Sequence, residues 1–159
     1  PYSMSKVFAE TAIRTFAGIY PQDYTIMRLF NFYGPDMPHN FFIPQLIHAM
    51  KHEKVFRMTE GEQARDFLYT DDIVQGLMLA ATNDKARNQT FNVCSGKSIT
   101  LREFVLQCKR ALSSDCVIEF GALPYRESEI WNMVGDNSKI KEMLGFTVSG
   151  DTDAYIKCL

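Results

Sequence analysis

Tyr2 and Lys6 stand four residues apart in the stretch PYSMSK. On a helix that spacing puts both side chains on one face. A free tyrosine, with a pKa of about 10, is a poor base at neutral pH. A fixed ammonium nearby favours the phenolate, a second positive charge adds to the pull, and burial alone opposes it. A phenol tuned in this way is a general acid/base. It can move a proton on and off a sugar or alcohol hydroxyl while a hydride moves to or from the carbon. The alternative is a helix-surface tyrosine beside a solvated lysine that pairs with Glu10 one turn on. His48 and His52 show the i, i+4 spacing of metal ligands, but no HExxH pattern and no third ligand accompany them. They read as one polar helix face, and no metal is expected.

These residues need elements to hold them. Val7, Phe8, Ala12, Ile13, Phe16 and Ala17 recur at spacings of three and four, which predicts a helix from Ser3 to about Tyr20, stopped by Gly18 and Pro21. YTIMRLF (24–30) predicts a strand buried on both faces. NFYGPDMPHN (31–40) has the composition of a turn. A second helix is expected over 43–52, with Pro44 in its first turn. KVFRM and RDFLY read as strands, and RDFLY runs into a helix, TDDIVQGLMLAAT, with Thr70 as N-cap and Asp71 and Asp72 in the first turn. QTFNVCS is a strand. TLREFVLQCKRAL is a helix opened by a Thr100–Glu103 capping box. CVIEF is a strand, and NSKIKEML is a short helix ended by Gly145. Helices and strands alternate, which implies α/β layering and disfavours a purely helical regulatory protein.

The chain has 159 residues and a net charge of −2, which gives no electrostatic case for nucleic acid or an anionic membrane. No apolar run reaches the roughly 18–20 residues of a membrane helix. The four cysteines form no CxxC pair and read as reduced thiols, which points to a cytoplasmic setting. SGKS at Ser95 lacks the upstream glycine of a phosphate loop, and the NQT triplet at Asn88 carries no weight in a reducing compartment.

RLFNFYGP, RDFLYTDDI, FNVCSG and PYRESEI…GDNSKIKEMLGF follow Tyr2 and Lys6 in order. Together the series resembles the C-terminal half of the extended short-chain dehydrogenase/reductases, the nucleotide-sugar epimerases, dehydratases and reductases, from Tyr2 to about Phe146. The resemblance implies the end of a Rossmann-type doubly wound sheet plus a small mixed α/β substrate-binding domain. Residues 1–35, with about 66–95 returning to them, would belong to the NAD(P) side, and 36–159 mostly to the substrate side. The family's glycine-rich cofactor loop lies upstream of its YxxxK, so the chain is expected to be a C-terminal fragment, inactive by itself. Its stripped strand should expose Ile26, Leu29 and Phe30.

By the same resemblance, Tyr2 and Lys6 are catalytic and touch NAD or NADP, and the backbone at Phe30 meets the nicotinamide. Asn31 holds the sugar diphosphate, although Asn31, Gly34 and Pro35 could simply shape a tight turn. Arg65 and Arg126 match the family's diphosphate-binding arginines, and guanidinium forks suit that role because each grips two oxygens. Phe42, in FFIPQL, is placed near the nucleotide base, with core packing as the alternative. Asn92 approaches the nucleotide from a strand end. Arg28 is structural, Asp66 braces Arg65, and Asp72 serves the helix first turn. The implied activity is hydride transfer at C4 of a nucleoside-diphosphate sugar, ending in epimerisation, dehydration or reduction, by a homodimer joined through the tyrosine helix. GALPYRESEI leans towards the 4-keto-6-deoxysugar enzymes of surface-polysaccharide pathways. The alternative is a non-catalytic nucleotide-sugar binding or interaction module lacking the cofactor half.

Overall fold

The computed structural model describes residues 1–159. It opens with helix α1, Tyr2–Ile19, which runs straight through Gly18. Tyr20 is extended at φ −112°, as a residue before proline prefers, and this ends the helix. None of α1 is buried, and its apolar stripe, including Phe8, Ile13 and Phe16, is open. An ionic clasp ties it to the strand that follows. The Glu10 carboxylate accepts from Arg28 Nε at 2.7 Å and Nη2 at 2.6 Å. That guanidinium, with Arg14 adding to it, holds the Glu10 carboxyl below the usual range. Arg28 is therefore structural, and Glu10 is engaged by arginines rather than by Lys6.

Strand β1, Thr25–Leu29, pairs in parallel with β6, Gln89–Val93, in the register Thr25↔Gln89 to Leu29↔Val93. On this pair lie α3, Thr70–Thr82, and α5, Ser138–Leu144. Their shared core holds Leu68, Ile73, Phe91, Val93, Ile140 and Phe146. Gly145 ends α5 at φ 71°, a left-handed turn that glycine enters without steric cost. Leu29 is exposed as expected, but Ile26 is buried and Phe30 half-buried.

A larger core gathers α2 (Phe42–His52), α4 (Leu101–Ala111) and α6 (Thr152–Lys157). It also takes in β3 (Val55–Arg57), which pairs in parallel with β8 (Val117–Glu119). Full burial of Leu46, Phe104 and Ile156 contributes about 1.5–3 kcal/mol each. The Thr100–Glu103 capping box opens α4 as its sequence predicts. A three-stranded sheet sets β4 (Ala64–Arg65) between antiparallel β7 (Ile99–Thr100) and parallel β9 (Asn132–Met133).

Three local expectations are corrected. Asn31–Tyr33 is not turn but strand β2, paired in parallel with β5, Phe67–Tyr69. The turn begins only past Gly34, where a Cβ would lie 2.2 Å from the Thr70 hydroxyl oxygen. RDFLY is not one strand: β4 and β5 belong to different sheets, and Asp66 is the break. Thr70 makes no capping bond, because Tyr69 holds the N-cap position and Thr70 is already helical.

Candidate functional site

Four of the residues singled out by sequence meet in one open cavity of about 290 Å³: Phe30, Asn31, Phe42 and Arg65. Phe30 continues the line of β1 by donating its N–H to Val93 O at 3.2 Å. Asn31 begins β2, and its amide reaches the Met133 sulfur at 3.5 Å. Phe42 opens α2 and packs edge-on against Phe56, with centroids 5.9 Å apart. Arg65 ends β4. Phe32, Phe41 and Phe67 share the remaining wall with Met37, Ile43 and Leu101, so the cavity is an aromatic-rich apolar cleft with an amide and a guanidinium as its polar groups. Such a mixture suits a flat or partly apolar ligand that carries an anionic group.

Arg65 is the most constrained of the four. Its Nη1 donates to Ala64 O at 2.8 Å and Ile130 O at 2.6 Å, and its Nη2 donates to Glu129 Oε1 at 2.6 Å. Both side chains of this ion pair are largely buried, at 14% and 13% exposure. A guanidinium has five N–H donors, so Nε–H and one Nη2–H remain for a ligand. Arg126 is exposed in the turn that carries Glu129, whose N–H bonds Arg126 O at 3.1 Å.

Tyr2, Lys6, Asn92 and Arg126 lie outside this cavity. Lys6 Nζ sits 5.2 Å from the Tyr2 ring centroid, and Tyr2 is 74% exposed. The pair thus shares one helix face, as its spacing predicts. Asn92 on β6 donates to Asp136 O at 3.1 Å.

The family model described as GDP-mannose 4,6 dehydratase matches residues 1–158. The chain belongs to that family. With it comes membership of the extended short-chain dehydrogenase/reductases that the ordered motifs resemble. Over 148 residues the chain is 30% identical to CDP-abequose synthase of Salmonella typhimurium, covering 90% of this chain and 50% of that protein. It is 30% identical to GDP-6-deoxy-D-talose 4-dehydrogenase of Aggregatibacter actinomycetemcomitans, over 91% of this chain and 48% of the relative. Its fold matches UDP-glucose 4-epimerase of Thermotoga maritima, solved with UDP-glucose, at a TM-score of 0.91 and 25% identity, covering 99% of this chain and 51% of that one. The chain spans about half the length of the curated relatives it matches.

Within this dehydratase-family chain, two acidic residues carry more than sequence suggested. Asp66 does not pair with the Arg65 guanidinium, which is held by Glu129 and two backbone carbonyls. Its fully buried carboxylate accepts N–H bonds from Ser95 at 2.7 Å, Gly96 at 2.9 Å and Gly135 at 3.3 Å. Asp72, also buried, does more than charge a helix turn, since it accepts from both the N–H and the hydroxyl of Ser149. Glu129 was not singled out at all. It belongs to the PYRESEI motif, but only the fold shows that its partner lies 64 residues upstream.

Proposed function

We propose that the chain is the substrate side of an NAD(P)-dependent enzyme that epimerises, dehydrates or reduces a nucleoside-diphosphate sugar by hydride transfer at C4. One observation carries this reading. Asn31 and a partly free, rigidly held Arg65 face an aromatic cleft, the combination a base, a sugar and a diphosphate require together. The named relatives act on CDP-, GDP- and UDP-linked sugars, which supports the substrate class. In this reading Arg65 and Arg126 hold the diphosphate, Asn31 orients the sugar, Phe42 contacts the base and Asn92 approaches the nucleotide. Residues 1–35 and about 66–95 form the cofactor side.

The residues present fit a nicotinamide cofactor. Tyr2 is open to a ligand, and Lys6 extends over its ring from one turn away. When bound, a nicotinamide would supply the hydride acceptor or donor, and the Phe30 backbone would be among the groups that hold it. Tyr2 moves the proton of the sugar hydroxyl, and Lys6 supplies the positive charge that favours the phenolate. The uncovered apolar stripe of α1 fits the expected homodimer and equally fits packing within one enzyme subunit, and the free cysteines suit a cytoplasmic setting.

Calorimetric titration with UDP-, CDP- and GDP-sugars tests the reading. At least one should bind, and Arg65→Ala and Arg126→Ala should each weaken it about tenfold or more, the worth of a charge-assisted hydrogen bond. Parent-like binding by both variants refutes the clamp. A second reading, a binding module without catalysis, draws on the placement of Tyr2 and Lys6 outside the cleft. Sugar-nucleotide binding with no change in nicotinamide absorbance would favour it.

A further inference from the structure

Of the seven arginine–carboxylate pairs in the chain, six involve at least one side chain more than a third exposed, and Arg65–Glu129 alone is largely withdrawn from water. Such a pair keeps its attraction because little solvent screens it, and its geometry is correspondingly fixed. Glu129 also stands at the centre of a clasp. The Tyr125 hydroxyl accepts the Glu62 N–H at 3.0 Å. Trp131 O accepts the Ala64 N–H at 2.8 Å. Asn132 and Met133 then pair in parallel with Ala64 and Arg65. Segment 125–133 is thereby laid along 62–65, with the Glu129 carboxylate on the guanidinium and the Glu129 N–H closing the turn onto Arg126 O.

We propose that Glu129 is a positioning residue for Arg65, the candidate diphosphate arginine that lines the cleft. Its carboxylate fixes the Arg65 fork so that Nε–H and the second Nη2–H face the cleft. The inference rests on the reading of Arg65 and Arg126 as the diphosphate clamp. It has a consequence opposite in sign to simple electrostatics. Glu129 is an anion beside an anion site, so by Coulomb's law alone its removal should tighten diphosphate binding. If its role is positioning, removal frees the long Arg65 side chain to sample other rotamers, and binding weakens although repulsion has fallen.

The experiment compares parent, Glu129→Ala, Glu129→Gln and Arg65→Ala as the complete enzyme. The probes are UDP, CDP and GDP with their monophosphates, read by calorimetry, alongside KM and kcat where turnover is measurable. The expected result for Glu129→Ala is a tenfold or greater loss of diphosphate affinity with a smaller loss for the monophosphate. KM should rise while kcat stays within a few-fold. Glu129→Gln, which can still accept one hydrogen bond, should recover part of the loss and is the variant to rely on if alanine does not fold. A general packing defect would lower both nucleotide affinities alike and leave their ratio unchanged, which overturns the proposal. So does unchanged or tighter diphosphate binding by Glu129→Ala while Arg65→Ala weakens it. If Arg65→Ala is also without effect, the clamp reading itself has failed.

Discussion

Replacing Asp66 should cost more stability than any exposed acid in the chain, although Asp66 is predicted to touch no ligand. Its carboxylate takes three backbone N–H groups, from Ser95, Gly96 and Gly135. These lie just past β6 and just before α5, so a single side chain reinforces a junction that Asn137, donating to Cys94 O at 2.8 Å, and Asn92, donating to Asp136 O at 3.1 Å, also tie together. A hydrogen bond to a charged group is worth about 1.5–3 kcal/mol net, and a buried N–H left without a partner costs about 1–3 kcal/mol. The contributions do not add fully, because water or a small shift can recover part of the loss. Asp66→Asn keeps one acceptor oxygen, on the Ser95 side or the Gly96 side, and turns an NH2 towards the other donors; a loss of about 2–3 kcal/mol follows. Asp66→Ala strands all three donors and should cost about 4 kcal/mol, much of the 5–15 kcal/mol that holds a typical domain together. The loop cannot easily close over the gap: a Cβ on Gly135 would already lie 2.4 Å from the Cys94 sulfur, so that backbone has no room to move inward. Urea unfolding followed by circular dichroism gives the measurement, with Asp115→Asn, at an exposed position, as a control expected within about 0.5 kcal/mol. If Asp66→Asn matched that control, the three N–H bonds would not be holding the junction, and the account of how Arg65 is kept in place would fall with them.

Three further outcomes follow from the same structure. Tyr2→Phe in the complete enzyme should lower turnover by orders of magnitude with substrate affinity nearly unchanged; unaltered turnover removes the proton-transfer role. The thiols give a pH dependence. Burial pushes Cys108 up to about 12 and Cys94 up to about 11, whereas an unfolded thiol ionises near 9. Both stay protonated in the fold while the unfolded chain releases its protons. Stability is therefore intact below about pH 9 and declines as pH rises towards 11–12, by about 1 kcal/mol per thiol at pH 10. In the native state a thiol reagent should modify exposed Cys158 first, and rapid labelling of all four cysteines at neutral pH would contradict the burial.

What could be read in advance depended on how local each signal was. The capping box of α4 and the glycine stop of α5 are decided within a few residues, and the structure shows both. Asn31–Tyr33 was misread because a strand of three residues leaves no periodicity to count, and its neighbours Gly34 and Pro35 spoke louder. Only the distant partner, Phe67–Tyr69, makes that segment a strand. The helix Thr152–Lys157 had the same difficulty, since what fixes it is Ile156 in the core and the stacking of Tyr155 on Tyr69 at 3.9 Å. The cavity residues were legible through motif order. Their partners Glu129 and Met133, like the Gly135 that bonds Asp66, were not, because each contact spans 64 or more residues and leaves no spacing rule behind.

The adjacent pair Arg65–Asp66 shows why the motif has the form it does. Successive side chains of an extended segment point to opposite sides. One of these two faces the cleft and the other is sealed within the protein. A cation reaching a ligand needs a backbone that does not yield when an anion pulls on it. The chain supplies this by making the very next residue an anchor that grips two other loops through their N–H groups. The strand breaks at that point, with β4 ending in one sheet and β5 starting in another. Without the anchor, the break would be a hinge directly beneath the guanidinium. Swapping the order to Asp-Arg would turn the charge into the interior and the carboxylate into the cleft. It would strand one buried cation and set a carboxylate against any anionic ligand in the cleft, so the order of the two residues matters as much as their identity.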